Sequence, residues 1–431
     1  MHKLSWLVAL APLVVLACRS SSNNPTHSSL PLQAKSSLSF NSNPSVSIAT
    51  QKAITSDLNN FGLKVLQSLA PSNQNFATSP VSGFIALMMT ADGARGATAD
   101  EMKAVLYPNV ALPDIQVATN QLAQGVKGCA RPATQTSDGS KQVVLNLAND
   151  VFIQKGLALQ KPFLDNLMTN YDSGVELVDF KADSKGATTE INSWVASETT
   201  NLVPKLIGLL ALDSLTRLVL VDVLYLNASW RTAFDANRTH VQTFNGIKGN
   251  ASTDFMNSTL SLNYATRTGW AGVDIPYYGG TLVMTAILPD SGQFDSTKAS
   301  LNAAWFSNFD SAAQQHQVEL ALPKFTLAGS TVSWKPTLQA LGMTSLFDGN
   351  TCNLSGITRQ EPLHVSDVLQ QVRVAVAEKG TVAAAATAVT AVAASIEQSP
   401  PTTLVFDRPF LFFVRARGGP ILFAGQVVSL P

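Results

Sequence analysis

The chain has 431 residues, 45% of them hydrophobic, and its 29 basic side chains are balanced by 29 acidic ones. That is ample for a large core, and length alone would allow two or three domains. A formal net charge of zero gives no electrostatic reason to bind nucleic acid or anionic lipid, and charged residues make up only 13% of a chain rich in Ser, Thr, Asn and Gln, which suits an extracellular or envelope protein.

Met1-His2-Lys3 is a short basic start, and Leu4 to Leu16 is apolar apart from Ser5. Such a run is too short to span a bilayer as a helix and has the form of a secretory signal over residues 1–17. It ends Val15-Leu16-Ala17-Cys18, which resembles the bacterial lipobox. Cys18 is therefore expected to be lipidated and to anchor the protein to a membrane, in the outer membrane or at the cell surface. Arg19 and Ser20 follow it, so no acidic residue suggests retention at the inner membrane. Residues 18–50 are rich in Ser, Asn, Thr and Pro and are expected to form a flexible tether to a folded body at 51–431.

The early body reads as helical. Ser79-Pro80 has the form of an N-cap followed by Pro at the first helical position, with Val81, Phe84, Ile85, Met88 and Met89 at helical spacing. Thr98-x-x-Glu101 is expected to be a capping box. Residues 129–142 read as a polar loop. Phe163 to Tyr171 and Ile191 to Val195 are further helix candidates. Strands dominate later: Leu218 to Leu226, nearly all apolar, is expected to be covered on both faces. Thr281–Leu288, Val318–Leu322, Val372–Ala377, Pro409–Val414 and Ile421–Val428 also read as strands, with Gly279-Gly280 as a hairpin turn. Helices first and strands later, without regular alternation, predict an α+β fold with a helical N-terminal part on a large, mostly antiparallel sheet.

Little here supports an enzyme. Of five histidines, His2 lies in the signal and His27 in the tether, while His240, His316 and His364 accompany no G-x-S-x-G elbow. No phosphate loop is present, and Cys129 and Cys352 lack metal-ligand spacing to a His, so neither a metal nor a cofactor is expected. Those two cysteines are free to form a disulfide or to remain apart.

Residues 378–395 stand out. After Thr381 the run has no charge, Gly or Pro until Glu397. A surface loop normally carries polar and turn residues; this one carries side chains small enough to be buried anywhere. An Ala-rich linker is the plain alternative, and four consecutive alanines favour helix, opposed by Val382, Val389, Thr390 and Val392.

In order and spacing, several blocks resemble the serpin family from about residue 52 to 431. They include Asn75 to Ser82, Gly93 to Thr98, Ala148 to Phe152, Val178 to Phe180, Ile191 to Val195, Leu218 to Trp230, Leu341 to Met343, Leu354 to Ile357 and Pro409 to Val414 with Gly425. The resemblance implies a serpin fold with an exposed reactive loop at about 378–405, and a suicide-substrate inhibitor of serine, or else cysteine, endopeptidases that forms a covalent acyl complex with its target protease. In that scheme the protease cuts the loop, which then inserts into the main sheet as a new strand. Glu378, Gly380, Thr381, Ala383, Ala384, Ala385, Ala386 and Thr387 would form the hinge, and Gly380 would give it backbone freedom. Thr381, Ala383, Ala385, Thr387, Val389 and Ala391 would face inward, small or β-branched and uncharged.

The family's spacing from the hinge glycine puts the cut bond at Ala394–Ser395, with Ala393, Ile396 and Glu397 as neighbouring choices. No Arg or Lys lies between 380 and 407, so elastase-like or subtilisin-like proteases are expected rather than trypsin-like ones. Trp230 would sit in the breach, and Ser79, Asp222 and Gln370 in the shutter of the sheet. Asp222 stands where the family usually has Asn, and Gln370 where it often has His; Val382 stands where many inhibitors carry Glu. The expected protein is a monomer. A non-inhibitory serpin-fold binding or carrier protein is the alternative.

Overall fold

The computed structural model describes residues 30–111, 114–137, 139–199, 201, 203–208, 212–328, 331–381 and 400–431. Helices come first. Ile48–Leu69 starts at Ser47, whose side chain accepts from the Thr50 N–H at 3.1 Å, and it buries Ile54, Leu58, Phe61, Val65 and Leu66. Pro80–Ala91 is buried on every side through Thr90. It can lie at the centre because Gly83 leaves room for Trp334, whose ring would meet a Cβ there at 2.2 Å. The helix candidates at 163–171 and 191–195 are parts of Lys161–Tyr171 and Phe180–Glu198.

Among the described residues, ten strands form one sheet and nine a second. The first is organised on the long strand Leu218–Ser229, here called the central strand. On one edge it pairs antiparallel with Gly139–Gln154, Asn149 opposite Asp222. Its even-numbered residues Leu218, Leu220, Leu224, Leu226 and Ala228 join the main core, while Val219 and Val221 pack with Phe180, Ile191, Trp194 and Val195. Both faces are thus covered, which is why its sequence is almost uniformly apolar. The second sheet carries Leu282–Pro289, Gln314–Pro323, Phe410–Ala416 and Ile421–Val427, close to the strands expected from the sequence. Most pairings in both sheets are antiparallel, and the α+β architecture is as expected.

Three local expectations need correction. Residues through 50 were expected to be a loose tether, yet the described part of that segment is docked on the body. Leu32–Ala34 adds an antiparallel edge strand to Val175–Val178, and the side chains of Asn120 and Gln124 each donate to the Asn41 carbonyl at 2.9 Å. Backbone pairing holds this segment, so its polar composition is no obstacle. The expected loop at 129–142 is largely a hairpin, with Thr136 opposite Gly139 and Thr134 opposite Lys141. Thr98 and Glu101 form no capping box: the helix begins at Gly96, and both side chains bind Ser345 Oγ, at 3.0 and 2.8 Å. A tertiary partner outcompetes the local cap.

Candidate functional site

The other edge of the central strand is a seam. At its lower end the short strand Asp367–Gln370 pairs with it in parallel, Gln370 opposite Asp222. At its upper end Gly380–Thr381 pairs with it antiparallel, Gly380 opposite Ser229 and Thr381 opposite Ala228. The same two residues also pair with Ala377 and Val376 of Arg373–Ala377. Gly380–Thr381 is therefore wedged between two strands. Among the described residues, nothing else pairs with this edge between Asp222 and Ala228.

The upper end is closed by fixed geometry. Trp230 is fully buried, stacks on Tyr277 at 4.4 Å between centroids, and donates its indole N–H to the Ala377 carbonyl at 2.9 Å. Its backbone N–H and that of Phe234 bond the carbonyls of Lys379 and Glu378. Thr381 is buried, and its hydroxyl meets the Tyr277 hydroxyl at 2.6 Å. Gly380 has φ +152°, and a Cβ there would lie 2.0 Å from the Ala228 carbonyl oxygen, so only glycine fits. Glu378 accepts from Thr239 at 3.0 Å and pairs with Lys324 at 3.1 Å. Burial opposes its ionisation, yet its own backbone N–H, Lys324 and Thr239 together hold it below the usual glutamate value.

The lower end is closed by a polar network. Gln370 uses all four of its hydrogen-bonding positions. Its Oε1 accepts from Thr78 Oγ1 at 2.7 Å and from the Ser79 N–H at 2.8 Å. Its Nε2 donates to the Ser79 carbonyl at 3.0 Å and to Asp222 Oδ1 at 2.6 Å. Ser79 does precede Pro80 at the helix start, but its hydroxyl makes no cap bond; Gln370 occupies its backbone, and its Oγ has no partner. Asp222 is fully buried, and its Oδ2 also lacks a partner. Burial pushes its carboxyl up to about 7 against the opposing pull of Gln370 and the Ser82 hydroxyl.

Of the residues singled out in the sequence, Glu378, Gly380, Thr381 and Trp230 meet at the upper end, and Ser79, Asp222 and Gln370 at the lower. Ala383 to Thr387, Ala394 and Ser395 with the neighbouring cut choices Ala393, Ile396 and Glu397, and Cys18 lie outside the described residues. Sequence reasoning missed Tyr277, Lys324 and Thr78. Tyr277 adjoins the Gly279-Gly280 turn, where φ is +79° and +71° as a hairpin requires, but the turn carries no sign that the tyrosine stacks on Trp230. Cys129 and Cys352 are free thiols, and burial pushes Cys352 up to about 12. Among the described residues no group of His, Cys, Asp and Glu is arranged to hold a metal. His240 bonds its neighbours Arg238 and Gln242, while His316 lies edge-on to Tyr264.

A family model described as serpin (serine protease inhibitor) matches residues 56–430. An uncharacterised serpin-like protein of Thermococcus kodakarensis is 30% identical, the alignment covering all of this chain and 99% of that one. Plasminogen activator inhibitor 1 of Bos taurus is also 30% identical, over 89% of this chain and 94% of its own. Among solved structures, the thermophilic serpin tengpin in its native state superposes with a TM-score of 0.81 at 24% identity, covering 93% of this chain and all of tengpin.

Proposed function

Because the chain belongs to the serpin family, a family of protease inhibitors and not of enzymes, we propose that it inhibits serine endopeptidases as a suicide substrate, by cleavage and insertion of the loop after Thr381. The observation that carries this reading is the wedge: Gly380 and Thr381 of the hinge are already a strand in the seam.

The register of that strand supports the rest. Carried on toward Leu218, it sets Ala383, Ala385, Thr387, Val389 and Ala391 opposite Leu226, Leu224, Asp222, Leu220 and Leu218. Directly opposed residues share a face, and those leucines belong to the main core. The inward set is then small or β-branched and uncharged, as insertion under a closing sheet demands. Reaching Leu218 uses residues up to Ala391, so a cut at Ala394–Ser395 frees enough chain for the whole strand. An alanine before the cut favours proteases with small apolar specificity pockets, elastase-like or subtilisin-like.

Incubation with such a protease is expected to give an equimolar complex that survives denaturant, and mass spectrometry is expected to find a released peptide beginning at Ser395. A cut loop with no trapped protease and no rise in the thermal transition would instead favour the carrier reading. Cys18, at the end of a signal-like run, is proposed to be lipidated and to hold a monomeric inhibitor at the outer membrane or cell surface, on the periplasmic or extracellular side. Radiolabelled palmitate incorporated by the full chain but not by Cys18→Ser is the corresponding check.

A further inference from the structure

The lower end of the seam is built unlike a purely structural junction. Parallel pairing of Asp367–Gln370 with the central strand stops at Gln370 opposite Asp222, where the two strands begin to part. At this last paired position a side-chain bond, Gln370 Nε2 to Asp222 Oδ1, adds to the backbone pairing. Gln370 has no further hydrogen to give. Asp222 Oδ2 is buried without a partner, and Ser82 beside it gives its proton to Asn149 Oδ1 at 2.9 Å. A neutral carboxyl costs less in that setting than a carboxylate, which is a buried charge met by the Gln370 amide and, in competition with Asn149, by the Ser82 hydroxyl.

No countercharge from the surrounding elements relieves it. The helix Pro80–Ala91 has no titratable residue. From Gly139–Gln154, the residue opposite Asp222 is the neutral Asn149, while Asp150 stands opposite Val221 and so on the other face. On Asp367–Gln370 the carboxylate of Asp367 lies an odd number of residues from Gln370, also on the other face, and is held by Ser333 Oγ at 2.7 Å. Gln370, though buried, lines a cleft of about 530 Å³ together with Phe76, Ala77, Thr326, Leu327 and Val372. Parting the strands here hydrates the carboxyl.

We propose that Asp222 is a proton-dependent latch: protonated, it holds the central strand to Asp367–Gln370, and ionised, it favours their separation and hence the opening of the sheet. This concerns regulation of the site described above and rests on the inhibitor reading for its biological use, but not for its test.

Amide hydrogen exchange of residues 219–222 and 367–370, expressed as protection factors between pH 5 and 8, measures the latch. In the wild-type chain protection is expected to fall by up to about tenfold per pH unit, since one pH unit corresponds to tenfold in a protonation-linked equilibrium, and to level off above about pH 7. Asp222→Asn, which keeps the shape and cannot ionise, is expected to give flat protection. The carboxyl carbon shift of Asp222 in labelled wild-type protein provides a second reading that needs no variant. Wild-type protection that does not change with pH, an equal slope in Asp222→Asn, or a carboxyl already ionised at pH 5 would each overturn the latch. Falling protection in a chain that traps no protease supports the latch and counts only against the inhibitor reading. Protease trapping alongside flat protection does the reverse.

Discussion

The two ends of the seam close the same edge of the same strand by opposite means. At the upper end a fully buried tryptophan is stacked and hydrogen-bonded through its indole, and the backbone N–H groups of Trp230 and Phe234 donate to the Lys379 and Glu378 carbonyls. The charged contact there, Lys324 between Glu378 and Asp254, is partly exposed. At the lower end a satisfied glutamine holds a carboxyl that is not satisfied, beside a serine hydroxyl that is not satisfied either. Shape fixes the first junction; the second is where the proposed latch would act. Under the proposed inhibitor reading, the first would be the rigid place where the new strand starts and the second the place where separation is triggered.

The comparison can be broken hardest at Trp230. Trp230→Ala removes the stack on Tyr277 and the bond to Ala377, and is expected to lower unfolding free energy by about 4 kcal/mol, read from the denaturant midpoint. A loss under about 1 kcal/mol would mean that the upper end is not held by packing.

Next comes pH. The Asp222 carboxyl is raised in the folded state, so its contribution is fully present below the unfolded value of 3.8 and is lost as pH rises to about 7. At about 1.4 kcal/mol per unit, that approaches about 4 kcal/mol at most. Asp150 and Glu176 are also raised by burial and act in the same direction. The difference between wild type and Asp222→Asn across pH 4–8 therefore isolates the latch.

Gly380→Ala is expected to cost about 2–3 kcal/mol, because it combines a backbone conformation reserved for glycine with a contact at the Ala228 carbonyl. Faster exchange confined to Ala228 and Ser229 would show that the wedge has come out. The smallest effect belongs to Glu378→Gln, under about 1 kcal/mol and shrinking with salt. Its pH signature has the opposite sign to that of Asp222. A lowered carboxyl stabilises above its unfolded value of 4.5, and that stability is lost as pH falls below it. Acid should loosen the upper end while it tightens the lower.

Much of this was legible in the chain. The apolar run Leu218–Leu226 reports a strand covered on both faces, while the resemblance to the serpin family singled out the hinge glycine and Trp230, Ser79, Asp222 and Gln370 of the two junctions. What escaped did so for a common reason. Thr98 and Glu101 have the spacing of a cap, but Ser345 is a better partner and lies 247 positions from Thr98. Ser79 has the look of an N-cap, but Gln370, 291 positions away, takes its backbone instead. Residues 30–47 have the composition of a tether, yet their described part is docked, and composition says nothing about a sheet edge standing open beside them.

Sequence by itself determined the family, the α+β order of elements and the apolar character of the segment after Thr381, since these follow from residue type and spacing along one chain. Only the tertiary structure decided that Gly380 and Thr381 already sit in the seam, that Tyr277 completes the stack on Trp230, and that Asp222 is buried with half its carboxyl unmatched. Each of those is set by partners far apart in the chain, and by how completely water is shut out where they meet.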